Sequence, residues 1–138
     1  MSLRIRCYAE ADFAQVVDIL TNELGATGAR KAPRRVIEAK VKHADNLFIV
    51  AEAGANLIGT AMAGYDGVRG WIYKLAVRER ARDQGVGAEL VKELIARLKA
   101  LGCVKINLQI MADQPELVKF YQKLGFSVEE RISMGLVL

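Results

Sequence analysis

Arg82-Asp83-Gln84-Gly85-Val86-Gly87 is the stretch on which the reading of this chain turns. Ahead of it runs Trp71-Ile72-Tyr73-Lys74-Leu75-Ala76-Val77, rich in β-branched and aromatic residues and of strand length. Behind it Val86, Leu90, Leu94 and Leu98 recur at every fourth position, with Val91 and Ile95 beside them. Lys92, Glu93, Arg97 and Lys99 fall on the other side, so this segment reads as an amphipathic helix. The order is strand, glycine-bearing turn, helix. The first turn of a helix has backbone N–H groups without intrahelical partners, and the helix dipole adds partial positive charge there. Gly85 and Gly87 leave those groups uncovered, and Arg82 adds a fixed, forked cation. The turn therefore predicts a cradle for a phosphate or pyrophosphate. Two other phosphate loops do not fit: G-x-x-x-x-G-K-[ST] is absent, and Leu90 stands at the third glycine position of G-x-G-x-x-G.

Outward from this turn the chain alternates strands and helices. Leu3 to Cys7 alternates apolar and basic residues and reads as a first strand. Asp12 with Gln15 has capping-box spacing, opening a helix that carries Phe13, Val16, Val17, Leu20 and Leu24 and ends at Gly25. Ala26 to Ala32 reads as a small, basic loop. Pro33 suits the first turn of a second helix with Val36, Ile37 and Val41 inward, ending near Ala44-Asp45-Asn46. Leu47–Glu52, Leu57–Tyr65 and Trp71–Val77 are joined so tightly that they predict an antiparallel meander. The helix from Val86 to Leu101 is long enough to cross over to a parallel strand, Val104–Met111. Pro115 begins a last helix with Leu117, Val118 and Tyr121 on one face, closed by Gly125, and the apolar tail to Leu138 predicts one or two closing strands. No linker, repeat or low-complexity tract interrupts the chain.

Composition narrows the class. A chain of 138 residues fits a single domain, 1–138, able to bury a real core. Hydrophobic residues at 52% with 26% charged argue against disorder. The formal net charge of +4 suits an anionic ligand and is too evenly spread to point to nucleic acid. No apolar run reaches membrane-spanning length and no signal-peptide pattern opens the chain, so a cytoplasmic protein is expected. Cys7 and Cys103 lack C-x-x-C spacing and read as free thiols. His43 is the only histidine, which leaves no basis for a zinc site.

Arg82-x-x-Gly85-x-Gly87 after a strand ending Leu75-Ala76-Val77 resembles the acetyl-CoA signature of the GNAT N-acetyltransferase superfamily. Phe120-Tyr121-Gln122-Lys123-Leu124-Gly125-Phe126 resembles that superfamily's late "YxxxGF" segment, and the two blocks lie in the family's order. Leu47-Phe48-Ile49-Val50-Ala51-Glu52 and Gly64-Tyr65-Asp66-Gly67 extend the likeness toward the short YpeA-like acetyltransferases. The resemblance implies an α+β, three-layer α/β/α fold: a mixed, mostly antiparallel sheet of six or seven strands with about four helices. It implies an acetyl-CoA-dependent transfer to a primary amine by direct attack. It places the coenzyme's pyrophosphate on the N–H groups of Asp83, Gln84, Gly85, Val86, Gly87 and Ala88, with Arg82 assisting. The pantetheine would run beside Leu75, Ala76 and Val77 as an added strand, and a freed N–H there would polarise the thioester oxygen. Tyr121 matches the family tyrosine that protonates the departing thiolate; a phenol with a reference pKa near ~10 carries that proton at neutral pH.

The chain also departs from the family pattern. Ribosomal-protein N-terminal acetyltransferases carry a glutamate twelve residues before the tyrosine; here Gln109 stands there and cannot accept a proton. Glu79 and Asp66 are candidate substitutes, beside a water relay or an amine that arrives neutral. Glu79 and Ala81 replace a frequent proline and aromatic, and Gln114 replaces an asparagine but keeps an amide for the cofactor. The acceptor is expected between the first two helices, where Arg30, Lys31, Arg34 and Arg35 would attract a carboxylate or phosphate. Two other functions stay open: an acyl-CoA-binding module with little activity, and a GNAT-type toxin acetylating aminoacyl-tRNA. No metal is expected, and the apolar segment Ile132–Leu138 would suit a homodimer contact.

Overall fold

The computed structural model describes residues 2–26 and 28–138, which fall into two compact units, Met1–Leu108 and Gln109–Leu138. In the first unit the described residues form strands β1 (Leu3–Cys7), β2 (Phe48–Ala53), β3 (Asn56–Tyr65), β4 (Gly70–Val77) and β5 (Ile106–Asn107). Helices α1 (Phe13–Leu24), α2 (Pro33–His43) and α3 (Val86–Ala100) pack on them. The sheet order is β1-β2-β3-β4-β5; the first four strands are antiparallel neighbours, and β5 joins β4 in parallel after the α3 crossover.

Strand alternation sorts the core onto two faces. Phe48 and Val50 pack with Val16, Ile19 and Leu20 of α1 and Ile37 of α2. Ile49 and Ala51, which alternate with them along β2 and are fully buried, face the other way. On that second face Val86, Leu90, Val91, Leu94 and Leu98 form the buried stripe of α3. Each large apolar side chain so enclosed stabilises the fold by about 1.5–3 kcal/mol. The predicted meander, the crossover and the three-layer α/β/α arrangement are therefore present.

Four local expectations are corrected. Asp12 does not cap α1 with its side chain. Its carboxylate instead takes both arms of Arg6, at 2.7 and 2.9 Å, and the Ala9 N–H at 2.8 Å. Gln15, expected to complete the box, accepts the Leu57 N–H of β3 at 2.8 Å. An ion pair to the preceding strand has outcompeted the helix cap. Secondly, Val41 is 43% exposed while Lys40 is buried. The Lys40 ammonium reaches Asp45 at 2.7 Å and the Ala63 carbonyl at 2.5 Å, so the inward stripe of α2 is turned toward Lys40.

The other two corrections concern strands. The predicted strand Val104–Met111 is realised only at Ile106–Asn107, and residues 127–138 form no strand. The sheet has five strands among the described residues, not six or seven. Alternation marks a surface suited to a strand, but a ladder also needs a neighbour whose backbone is free and parallel to it. In the tail Ile132, Met134 and Leu136 stay exposed.

The second unit holds helix α4 (Pro115–Lys123), which ends at Leu124, with Gly125 in the left-handed region. Cys7 and Cys103 are both free thiols.

Candidate active site

β4 carries the first unit's functional features. Its register against β3 slips: Thr60 faces Ala76 and Met62 faces Tyr73, so Lys74 and Leu75 lie opposite Ala61 alone. Lys74 has φ of 54°, the left-handed region that non-glycine residues seldom adopt. A bulge of this kind reverses the side to which the following residues point. A Cβ on Gly70 would meet Leu98 and Cys103, on the α3 side. Ala76, an even number of residues further on, packs instead with the α1 cluster.

The opposite edge of β4 is paired with β5 only at Gly70 and Trp71. From Ile72 to Val77 that edge has no ladder partner among the described residues. A bulged strand bends and twists, which ends a ladder. Leu75, Ala76 and Val77 thus lie on a strand segment with an open edge, leading straight into the glycine turn.

In that turn Ala81 and Arg82 donate backbone bonds to Arg78 and Glu79, closing a single tight turn. Asp83 (φ 64°) and Gly85 (φ 80°) are both left-handed, and Gly85 begins α3 with no side-chain cap on the helix N–H groups. Nothing lies within 4 Å of a Cβ built on Gly85. Glycine is required there by its φ, and the space around it is open, as a ligand cradle needs. The N–H groups of Gln84 through Ala88 belong to this turn and the first turn of α3. The fit to a diphosphate rests on that uncapped N-terminus.

α3 is held against the sheet by a close approach. A Cβ at Gly59 would stand 3.0 Å from Leu90 Cδ1, 3.2 Å from the Ala76 carbonyl and 3.3 Å from Val86 Cγ1. Gly59 therefore lets the first turns of α3 rest on β3. Two arginines at the end of β4 are tied to α1. Arg78 pairs with Asp18 at 2.5 Å and bonds the Leu57 carbonyl at 2.9 Å. Arg82 pairs with Glu23 at 2.5 Å and bonds the Val77 carbonyl at 3.3 Å. The contribution of α1 to this loop, through Glu23, is invisible in the sequence motif.

Among the predicted acceptor residues, Arg34 lies 4.7 Å above the Phe13 ring and 3.4 Å from Glu38. Arg30 and Lys31, on the loop before α2, act instead on Lys74. Burial, and then the charges of Lys31 and Arg30, hold the Lys74 ammonium below the usual lysine range. Lys74 escaped the sequence reading. Its one signal was a lysine where strict alternation with Ile72 and Ala76 calls for a buried residue.

The proposed substitute bases fare differently. Asp66 accepts the N–H groups of Val68 and Arg69, both at 2.8 Å, and these bonds pull its carboxyl below the usual range. It shapes the β3–β4 turn. Glu79 is exposed on the surface.

In the second unit Tyr121 is buried, with Phe120 and Phe126 edge-on at 5.0 and 5.4 Å. Burial pushes its phenol up to about 12, so the proton is firmly held. Its hydroxyl makes no hydrogen bond among the described residues, which leaves the donor free. Gln109 is exposed and bonds Ser133 through its amide. Gln114 is exposed at the start of α4 and its side chain makes no capping bond. Among the described residues no group of three or more His, Cys, Asp or Glu side chains is placed to hold a metal ion.

A mixed sheet with an open strand edge, leading into an uncapped helix N-terminus, suits an extended ligand that carries a diphosphate. The sequence model of the acetyltransferase (GNAT) family matches residues 13–126. An acetyltransferase of Yersinia enterocolitica is 32% identical over 96% of this chain and 94% of its own length. A transcriptional regulator of Bacillus halodurans superposes with a TM-score of 0.83 at 29% identity, covering 98% of this chain and 100% of that one. The PaiA N-acetyltransferase of Thermoplasma acidophilum, solved with coenzyme A, shares the fold with a TM-score of 0.83 at 19% identity over 96% of this chain and 94% of its own. This chain belongs to the acetyltransferase (GNAT) family, and its class of chemistry is acetyl transfer.

Proposed function

We propose that the chain works as one catalytic domain that moves the acetyl group of acetyl-CoA to a primary amine by direct attack. The observation that carries this reading is the open β4 edge from Ile72 to Val77, running into the uncapped N-terminus of α3 at Gly85. The span of the family match, 13–126, supports treating the chain as one domain.

In this reading the N–H groups of Asp83 to Ala88 bind the diphosphate of the donor, with Arg82 beside them. Leu75, Ala76 and Val77 hold the pantetheine arm as a neighbouring strand would. A backbone N–H of that segment stabilises negative charge developing on the carbonyl oxygen. The amine lone pair bonds to the carbonyl carbon, the carbon–sulfur bond breaks, and Tyr121 gives its proton to the departing thiolate. The proton lost from the amine goes to solvent, because Gln109 has no basic site, and solvent returns a proton to the Tyr121 phenolate to complete the cycle. Gln114 supplies an amide to the cofactor. Absence of any helix long and apolar enough to cross a membrane, among the described residues, fits action in the cytoplasm.

A calorimetric titration with acetyl-CoA tests the reading. Saturable heat at micromolar to millimolar ligand is expected; a flat titration of folded protein overturns it. One second reading, an acyl-CoA-binding module with little turnover, draws on Gln109 at the base position. Release of free coenzyme A thiol across a panel of amines decides between the two.

A further inference from the structure

We propose that Lys74, together with Arg30 and Lys31, forms a subsite for a carboxylate or phosphate carried by the acceptor amine, and so selects small anionic amines. The proposal rests on the acetyl-transfer reading above and names its substrate class.

The bulge is the first observation. It places a half-buried lysine, with φ of 54°, directly before Leu75–Val77, the segment assigned to the thioester. Left-handed geometry is unfavourable for a non-glycine residue. A lysine is retained here where glycine or asparagine would relax the backbone, which points to its side chain.

Missing counter-charge is the second. Several nearby cations have carboxylate partners: Arg78 with Asp18, Arg82 with Glu23, Lys40 with Asp45, Arg34 with Glu38. Arg35 instead donates to the Arg30 carbonyl at 3.3 Å, which adds a cation beside the cluster. Among the described residues no carboxylate pairs with Lys74, Arg30 or Lys31. Lys74 is half-buried while Arg30 and Lys31 are exposed; an anion arriving at Lys74 offsets both its desolvation and the like charges near it. The Lys74 ammonium is held below the usual lysine range first by burial and then by the charges of Lys31 and Arg30. Tyr73, the neighbouring residue, packs its ring 5.7 Å from the Lys40 ammonium, so the strand beside the subsite is anchored to α2.

Two arms test the proposal. The first needs no turnover: the rate at which an acetylating reagent labels Lys74 is followed by mass spectrometry with millimolar inorganic phosphate or acetate. Several-fold protection of Lys74, without protection of Lys92 or Lys99, is expected. Protection by phosphate alone assigns a phosphate, by acetate alone a carboxylate; equal or absent protection of all three lysines overturns the subsite. This arm holds even for a protein that fails to bind acetyl-CoA, so the two readings fail separately.

The second arm compares ethanolamine with phosphoethanolamine, and propylamine with β-alanine, as acceptors. The anionic member of at least one pair should have the higher kcat/KM. Lys74→Gln should reduce that preference about tenfold, the worth of one charge-assisted contact, with the KM for acetyl-CoA unchanged. Lys74→Arg keeps the charge and should keep most of the preference. A neutral amine used equally well, or a preference that survives Lys74→Gln, overturns the proposal. A fall in kcat in both Lys74→Gln and Lys74→Arg with the preference intact assigns Lys74 to chemistry instead, and also overturns it.

Discussion

The glycine turn and the Lys74 cluster lie within a few residues of each other on β4 and its exit, yet they are built on opposite principles. The turn is made of contiguous backbone: left-handed Asp83 and Gly85 aim uncharged N–H donors outward, and its arginine is already neutralised by Glu23. The proposed cluster draws on side chains from distant segments, and among the described residues no carboxylate pairs with Lys74, Arg30 or Lys31. A backbone cradle recognises the shape of a ligand. A side-chain cluster recognises a charge, and can be altered without touching the fold. The difference predicts that donor and acceptor specificity are separable in this chain.

The largest expected effect removes neither half. Tyr121→Phe should lower kcat by roughly 10²–10⁴-fold while both KM values hold, because it deletes a proton donor and no binding group. Steady-state kinetics checks this; unchanged turnover removes Tyr121 from the mechanism. The same residue gives a pH test. Its phenol is raised from the ordinary ~10 to about 12 in the folded chain, so the folded state keeps a proton that the unfolded state loses. That stabilisation is fully present below pH ~10 and disappears as pH rises through about 12. The loss of melting temperature over this interval should be smaller in Tyr121→Phe than in the parent.

Gly85→Val attacks the backbone half alone. A β-branched residue at φ of 80° should weaken acetyl-CoA binding about tenfold, the equivalent of 1–2 kcal/mol of left-handed strain, and leave the acceptor KM unchanged. An equal rise in both KM values would break the contrast between the two regions. Gly59→Ala should lower stability by about 1–3 kcal/mol, because its methyl group meets the Ala76 carbonyl and Leu90 with little room to move. Differential scanning calorimetry reads that directly. Smallest of all, Arg34→Ala should change the acceptor KM by less than about twofold, since its exposed pair with Glu38 is worth little and its guanidinium lies over Phe13.

Much of the architecture was legible because its causes are local. The stripe Val86, Leu90, Leu94 and Leu98 defined α3, and short connections forced the meander from β2 to β4. Capping at Asp12 was misread because an arginine six residues away in sequence holds its carboxylate more strongly than the helix end does. Burial of Lys40 was misread because its partners, Asp45 and the Ala63 carbonyl, come from a turn and a distant strand. The closing strands were misread because alternation says nothing about whether a neighbouring backbone is available.

By itself the sequence determined the strand, glycine turn and helix proposed to bind the donor, and the tyrosine that matches a family motif. Those features depend on residues adjacent in the chain, where φ preference and helical period act directly. Only the tertiary structure decided that β4 bulges at Lys74 and opens beyond Trp71. It alone brought Glu23 to Arg82, and Arg30 with Lys31 to Lys74. Such juxtapositions depend on register and on charges meeting across space, which no local pattern encodes.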